Sequence, residues 1–138
     1  MNSIKTNYCT EGKDAVAKFL TIYIEEAHAT DEWILPESEP ITTGEAAFIK
    51  VHQSQEERIT AAKALIKNRN LLSETVCDFF GPGNFNDVYD SWPERLFIIV
   101  DGVIVYMGGY GPFDYKLYEV QEWLAAKYGM RGESLRKV

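Results

Sequence analysis

The chain has 138 residues, of which 46% are hydrophobic and 13% aromatic, enough for one core but too few for two ordinary domains. With 14 Lys and Arg against 21 Asp and Glu, its formal net charge of -7 repels phosphate backbones and argues against a nucleic-acid partner. It contains neither the roughly 20-residue apolar run that crosses a bilayer nor the apolar segment of a signal peptide, so we expect a cytoplasmic protein.

The first half of the chain predicts a strand, a loop and a helix. Residues 20–25 follow a short helical segment, alternate in part between apolar and polar, and include β-branched and aromatic residues, which predicts a strand. Residues 34–47 hold prolines and a glycine among polar residues, which predicts a loop. Ser54 begins a capping-box pattern, and a helix is predicted over about residues 55–69. Its apolar positions at helical spacing are Ile59, Ala62, Leu65 and Ile66.

The second half predicts a strand, a hairpin and a helix. Residues 75–77 resemble a short strand, and a loop rich in glycine and asparagine, GPGNFND, follows them. Asp101-Gly102 between two apolar runs predicts a β-hairpin, because these residues accept the positive φ of a type I′ turn. Asp114 is the predicted cap of a last helix, and Gly129 is its predicted end. The apolar side of that helix comprises Leu117, Val120, Trp123 and Leu124.

This order of elements predicts the fold class. Helix, strand, helix, strand, hairpin and helix indicate an α/β protein with a mixed sheet, crossover helices and an antiparallel edge. The pattern is that of the C-terminal part of a thioredoxin-like fold. We interpret residues 1–138 as a single domain.

The two cysteines, Cys9 and Cys77, lie far apart and form no CxxC motif. They indicate neither a disulfide framework nor a zinc site, and they favour a reducing, intracellular setting. Their spacing is more typical of small, partly buried residues than of redox-active thiols.

Four segments resemble the iodothyronine deiodinase family, thioredoxin-like selenoenzymes that remove iodine reductively from thyroid hormones. They are IYIEEAHATDEW at 22–33, HQSQEER at 52–58, WPERLFIIVDGVIVYMGG at 92–109 and GPFDYKLYEVQEWL at 111–124. Their order and spacing also agree, over about residues 16–128. The resemblance implies an iodinated or otherwise halogenated aromatic substrate, a thiol reductant as co-substrate and no metal or other cofactor.

The resemblance also implies the catalytic residues. His28, at the end of YIEEAH, matches the histidine beside the reactive centre, and Glu94 matches a glutamate that assists proton movement. Glu26 is a second carboxylate that could hold the tautomer of His28 or relay a proton. A metal site of His28, His52 and Asp31 is an alternative, although its spacing fits no zinc or iron pattern.

Three residues are implied in substrate binding. His52 matches the histidine that helps hold the polar end of the hormone, and Trp33 closes the first motif. Tyr110 stands where vertebrate members have an arginine of the substrate clamp. Because tyrosine cannot make a bidentate charged contact with a carboxylate, a related halogenated phenol is an alternative to thyroid hormone as substrate.

The resemblance places the nucleophile, a selenocysteine or cysteine, just upstream of Met1. The central first strand of the fold would then also be missing from residues 1–138, leaving two strands with unpaired edges. Such a chain would be poorly stable, or would pair with another chain as in a homodimer. A UGA codon misread as a stop would explain this start. Pro93 resembles the cis-proline of ordinary thioredoxin-like proteins, so we predict a cis Trp92-Pro93 bond.

Two other functions remain open from the sequence. One is a thioredoxin-like or peroxiredoxin-like thiol oxidoreductase, favoured if the upstream nucleophile is cysteine. The other is a pseudoenzyme that binds a small aromatic acid or a protein partner.

Overall fold

The computed structural model describes residues 2–8, 15–32 and 49–131. The elements of this part of the chain, in order, are α1 (Asn2–Tyr8), β1 (Leu20–Tyr23), α2 (Gln55–Arg69), β2 (Glu74–Cys77), α3 (Phe85–Tyr89), β3 (Phe97–Val100), β4 (Val103–Met107) and α4 (Leu117–Tyr128). Cys9, Trp33 and the loop predicted over 34–47 lie outside the described residues.

The chain divides into two compact units, each with one small sheet. The β1–β2 unit is Leu20–Pro93, and the hairpin unit combines Met1–Phe19 with Glu94–Val138. β1 pairs in parallel with β2, and β3 pairs in antiparallel with β4. The α/β class is confirmed, and the described strands form two separate pairs, one parallel and one antiparallel. Within the described residues β1 and β3 each have one strand neighbour. A single domain stays a prediction.

In the β1–β2 unit, α2 is the crossover between two parallel strands. The strands pair from Leu20 with Glu74 to Tyr23 with Cys77. β1 ends at Tyr23, two residues short of the prediction, and the chain then turns at 27–28. Tyr23, Ala61 and Ala62 form the buried core of this unit. α2 begins as predicted, with the Ser54 hydroxyl accepting from the Glu57 N–H at 3.2 Å.

The buried face of α2 matches the predicted apolar one in part, since Ala62 is buried and Leu65 packs against the core of this unit. The buried residues are Arg58, Ala61 and Ala62, whereas Ile66 is 36% exposed. Small alanines allow close packing of the helix, and the long aliphatic stem of Arg58 can be buried while its head finds polar partners. Apolar spacing alone therefore identifies Ala62 and Leu65 on this face but does not identify Arg58.

The hairpin and last helix follow the sequence closely. Asp101 and Gly102 have φ of 51° and 80°, as a type I′ turn requires, and Gly129 ends α4 with φ of 84°. The core of the hairpin unit consists of Ile4, Tyr8, Val120 and Leu124, with the other apolar residues of α4 packed against it. The predicted Trp92-Pro93 cis bond is confirmed.

Two local predictions are wrong. Asp114 does not cap α4, because the helix begins at Leu117 and the Asp114 carboxylate instead pairs with Lys116 Nζ at 2.8 Å. The GPGNFND segment is not all loop, because Asn84 caps the short helix α3 through its side chain. In the first place the Asp114 side chain forms an ion pair where a helix cap was predicted, and in the second the Asn84 side chain forms a helix cap where a loop was predicted. No helix in the described part of the chain is long and apolar enough to cross a membrane.

Candidate functional site

An open groove of about 860 Å³ runs along α2 in the β1–β2 unit. One wall comprises Asp31 and the extended segment 49–53, and the other is a face of α2. The α2 residues of that face are Glu56, Glu57, Thr60, Ala61, Lys63, Ala64 and Lys67. A volume of this size lies within the range of about 300–1,000 Å³ that small-molecule sites occupy.

His52 lies in the wall of this groove and is 7% exposed. Both of its ring nitrogens are buried, and neither has a hydrogen-bond partner among the described residues. The ring of Tyr23 packs near it, with 5.8 Å between ring centroids. An unpaired buried polar group costs about 1–3 kcal/mol, so a polar ligand that reaches the imidazole would recover that energy. His52 is therefore the strongest candidate for a ligand-binding residue in this groove.

His52 should make stability fall as the solution is acidified. Its burial, together with the positive charge of Arg58, lowers its pKa below the usual 6.5, although Glu57 opposes the shift. Below pH 6.5 the unfolded chain binds a proton at this histidine before the folded chain does, so the free energy of unfolding falls from pH 6.5 toward the folded pKa.

Urea unfolding of the wild type and of His52→Gln between pH 7.5 and 5 tests this dependence. The variant should lose less stability than the wild type over that range, because it has no group at position 52 to protonate. Equal losses in the two proteins would contradict the lowered pKa.

Glu26 and His28 lie beyond the end of β1. The Tyr23 hydroxyl donates to Glu26 Oε2 at 3.4 Å, and burial followed by the charge of Glu26 raises the pKa of Tyr23 well above 10. Tyr23 thus connects Glu26 with the ring of His52. His28 is half-buried in the turn at 27–28. Neither Glu26 nor His28 is among the described residues that line the groove.

Arg58 does not line the groove, but its charge acts on His52, and sequence reasoning missed it. It is 5% exposed, donates from Nη1 to the Phe79 carbonyl at 2.9 Å and lies 3.9 Å from Glu25. Its guanidinium lies 5.2 Å from the ring centroid of Phe80. The available signal was its spacing, since Arg58 stands three and four residues before the buried Ala61 and Ala62.

Cys77 is a packed thiol at the end of β2. It contacts the core of the β1–β2 unit, and Gln55 Nε2 lies 3.7 Å from its sulfur. Burial, with the nearby charge of Asp78, raises the pKa of Cys77, while Arg58 and Gln55 oppose the rise. A thiol with a raised pKa is a poor nucleophile at neutral pH, which agrees with its interpretation as a small, partly buried residue.

The hairpin unit contains Glu94 and Tyr110. The Glu94 carboxylate lies against Gly111, where a Cβ would overlap it, and the Gly111 N–H donates to the Glu94 carbonyl at 3.0 Å. Burial, and then the charge of Glu94, raises the pKa of Tyr115 to about 12. Tyr110 is 45% exposed, and the Arg95 guanidinium lies 4.4 Å from its ring centroid. A positive charge thus accompanies the tyrosine that replaces the expected arginine.

Replacing Gly111 with alanine should displace the Glu94 carboxylate. The new methyl group overlaps that carboxylate, so the variant should lose about 1 kcal/mol of stability, and the pKa of Tyr115 should fall below about 12 as the negative charge moves away. NMR titration with ¹³Cζ-labelled tyrosine, assigned with Tyr115→Phe, measures the pKa.

Glu94→Gln is the matched control, since it removes the charge without adding a methyl group and should also lower the pKa of Tyr115. An unchanged Tyr115 pKa in Gly111→Ala would contradict the placement of the carboxylate.

The structure places the predicted residues in different units. Glu26, His28 and His52 belong to the β1–β2 unit, whereas Glu94 and Tyr110 belong to the hairpin unit. Trp33 lies outside the described residues. In the part of the chain that is described, no three or more His, Cys, Asp and Glu side chains cluster so as to hold a metal ion.

These features define an α/β protein with an open groove along α2, and comparison with known proteins gives its family. The profile of the iodothyronine deiodinase family matches residues 6–128. A type II iodothyronine deiodinase from Aquarana catesbeiana is 40% identical over 123 residues, which cover 87% of this chain and 44% of that protein. The human type II enzyme is 36% identical over 124 residues, covering 88% of this chain and 44% of that protein.

A thyroxine 5-deiodinase from Aquarana catesbeiana is also similar, with 35% identity over 111 residues that cover 78% of this chain and 37% of that protein. The chain belongs to the iodothyronine deiodinase family, as its four sequence segments indicated. It spans less than half the length of these curated relatives.

Proposed function

We propose that this chain supplies the substrate-binding and proton-transfer residues of a reductive dehalogenase with a thioredoxin-like fold. Its substrate would be a thyroid hormone or a related iodinated phenol. The observation that carries the proposal is His52, a buried imidazole with no partner among the described residues, in the wall of a groove of suitable size. The relatives named as iodothyronine deiodinases support the chemistry.

The proposed reaction needs a nucleophile, a proton donor and a means of aligning the ring. A selenolate or thiolate takes the iodine as the carbon–iodine bond breaks, and the ring carbon takes a proton. His28 supplies that proton, because an imidazole titrates near neutrality, and Glu26 orients the imidazole or returns the proton. Two equivalents of thiol then reduce the seleno-iodide or sulfenyl iodide, releasing iodide and forming a disulfide. His52 aligns the substrate by a hydrogen bond.

We propose that the nucleophile lies outside residues 1–138, upstream of Met1. The environment of Cys77 supports this, because its thiol packs against the core of the β1–β2 unit and has a raised pKa. Cys9 lies outside the described residues. The 138-residue chain should therefore bind an iodinated phenol without releasing iodide.

Titration calorimetry with a matched pair of ligands tests the proposed function. The wild type should bind 2,6-diiodophenol more tightly than phenol, and His52→Leu should weaken binding of the iodinated ligand about tenfold, the usual effect of removing a polar partner. Gln53→Ala, an exposed neighbour on the same wall, is the control and should bind like the wild type.

Equal affinity for the two phenols would contradict a dehalogenase site and would favour the alternative of a binding module. Binding that survives His52→Leu would show that His52 is not the residue that aligns the substrate.

A further inference from the structure

We propose that Lys63 and Lys67 bind a carboxylate of the substrate, so that the groove along α2 selects an aromatic acid over a neutral phenol. The inference rests on the proposed function, which supplies the iodinated ring of the ligand. It adds that the ligand also carries an acidic group, which this site recognises. It also assigns this recognition to two residues outside the four segments that indicated the family.

The position of the two lysines is the first support. They stand four residues apart on one face of α2, and both line the groove that contains His52. Side chains at this spacing are neighbours one above the other, so both can reach a single anion. Ala64, between them in the sequence, also lines the groove and leaves room for a ligand.

The charge around the lysines is the second support. Neither lysine has an ion pair with another described residue. Two acids of the groove are engaged by the backbone, since Asp31 accepts from the Val51 N–H at 2.8 Å and Glu57 accepts from the Gln53 N–H at 2.7 Å. These carboxylates keep their charge, and the groove lining as a whole pairs three acids with three lysines, so the positive charge is confined to the lysine pair near the C-terminal end of α2.

The third acid of the groove, Glu56, lies at the other end of the α2 face. Seven residues separate it from Lys63, about 10 Å along a helix that rises 1.5 Å per residue. Glu56 is exposed, and at that separation solvent and salt screen its charge. It therefore does not neutralise the lysines.

Helix stability explains only part of this arrangement. Lys67 lies in the last turn of α2, where a positive charge is favourable. Lys63 lies one turn earlier, and two like charges four residues apart repel each other. An anion between them relieves that repulsion, and the unpaired His52 in the same groove independently indicates a polar ligand.

The groove is long enough for both contacts to be made by one molecule. From Glu56 to Lys67 the helix extends about 16 Å along its axis. An aromatic acid could therefore place its carboxylate at the lysines, its ring against Ala61 and Ala64, and a second polar group at His52.

Titration calorimetry on the whole chain tests the inference with 3-(4-hydroxy-3,5-diiodophenyl)propionate, its methyl ester and the same acid without iodine. We expect the wild type to bind the iodinated acid about tenfold more tightly than the ester, a preference consistent with two partly exposed ion pairs. The double variant Lys63→Gln/Lys67→Gln should lose that preference while binding the ester unchanged. Lys18→Gln, an exposed lysine outside the groove, should retain it.

Two outcomes would overturn the inference: a wild type with no preference for the acid over the ester, or a double variant that keeps the preference. The acid without iodine separates this inference from the proposed function. If it binds as tightly as the iodinated acid and still depends on the lysines, carboxylate recognition stands and the dehalogenase proposal fails. Circular-dichroism spectra and urea midpoints that match those of the wild type verify that the variants are folded.

Discussion

Replacing Asp78 with alanine should lower the free energy of unfolding by about 3 kcal/mol. Asp78 is 6% exposed, and its carboxylate accepts three backbone N–H groups, from Phe79 and Phe85 at 2.8 Å each and from Asn86 at 3.1 Å. Two of these donors open α3, whose first N–H groups have no partner within the helix. One side chain thus holds the segment after β2 to the start of the next helix.

Urea unfolding measures the loss, and hydrogen exchange over residues 79–90 shows where it occurs. Asp87→Ala is the matched control. Asp87 is exposed and accepts from the Gly83 N–H at 2.7 Å, so its loss should cost about 1 kcal/mol or less. Equal effects of the two substitutions would contradict the structural role assigned to Asp78.

Replacing Arg58 with methionine should cost about 2 kcal/mol and should also raise the pKa of His52. Methionine keeps much of the buried stem but loses the charged hydrogen bond to the Phe79 carbonyl and the contact with Phe80. The ion pair with Glu25 adds little, since at 3.9 Å its carboxylate side is 41% exposed. The pKa of His52 should rise only part of the way to 6.5, because burial, the larger cause of its depression, remains.

NMR titration of the His52 ring and urea unfolding check these two effects together. Arg69→Met, an exposed arginine near the end of the same helix, is the control and should change neither quantity appreciably. A His52 pKa that is unchanged in Arg58→Met would contradict the electrostatic contact between the two residues.

The elements that the sequence predicted well follow local rules. The type I′ turn depends on two residues that accept positive φ, and the start of α2 depends on Ser54 and its neighbours. The burial of Arg58 on α2 was not predictable in the same way. It depends on the Phe79 carbonyl, which lies 21 residues further along the chain and receives the Arg58 hydrogen bond.

Only part of the candidate site was predicted from the sequence, because several of its residues depend on contacts with segments distant in the chain. Family resemblance identified His52, but only the structure shows that both ring nitrogens are buried without a partner among the described residues. Tyr23 looks like an ordinary strand residue in the sequence, and only the structure shows that its ring packs 5.8 Å from that of His52. Lys63 and Lys67 look like solvent-facing helix residues, and the groove beside them forms from a segment distant in sequence. Where a role depends on a long-range contact, the local sequence shows at most which residues share a face and not which partner they meet.

The most direct test of the proposed function is iodide release by the longer protein. The natural gene should be expressed with its upstream sequence translated through any in-frame TGA codon, and the product incubated with a thiol and an iodothyronine. The proposal predicts iodide release, reduced at least about 100-fold in a folded His28→Asn variant, as expected for loss of a general acid. A folded protein that contains an upstream selenocysteine or cysteine and releases no iodide from iodothyronines or iodinated phenols would contradict it.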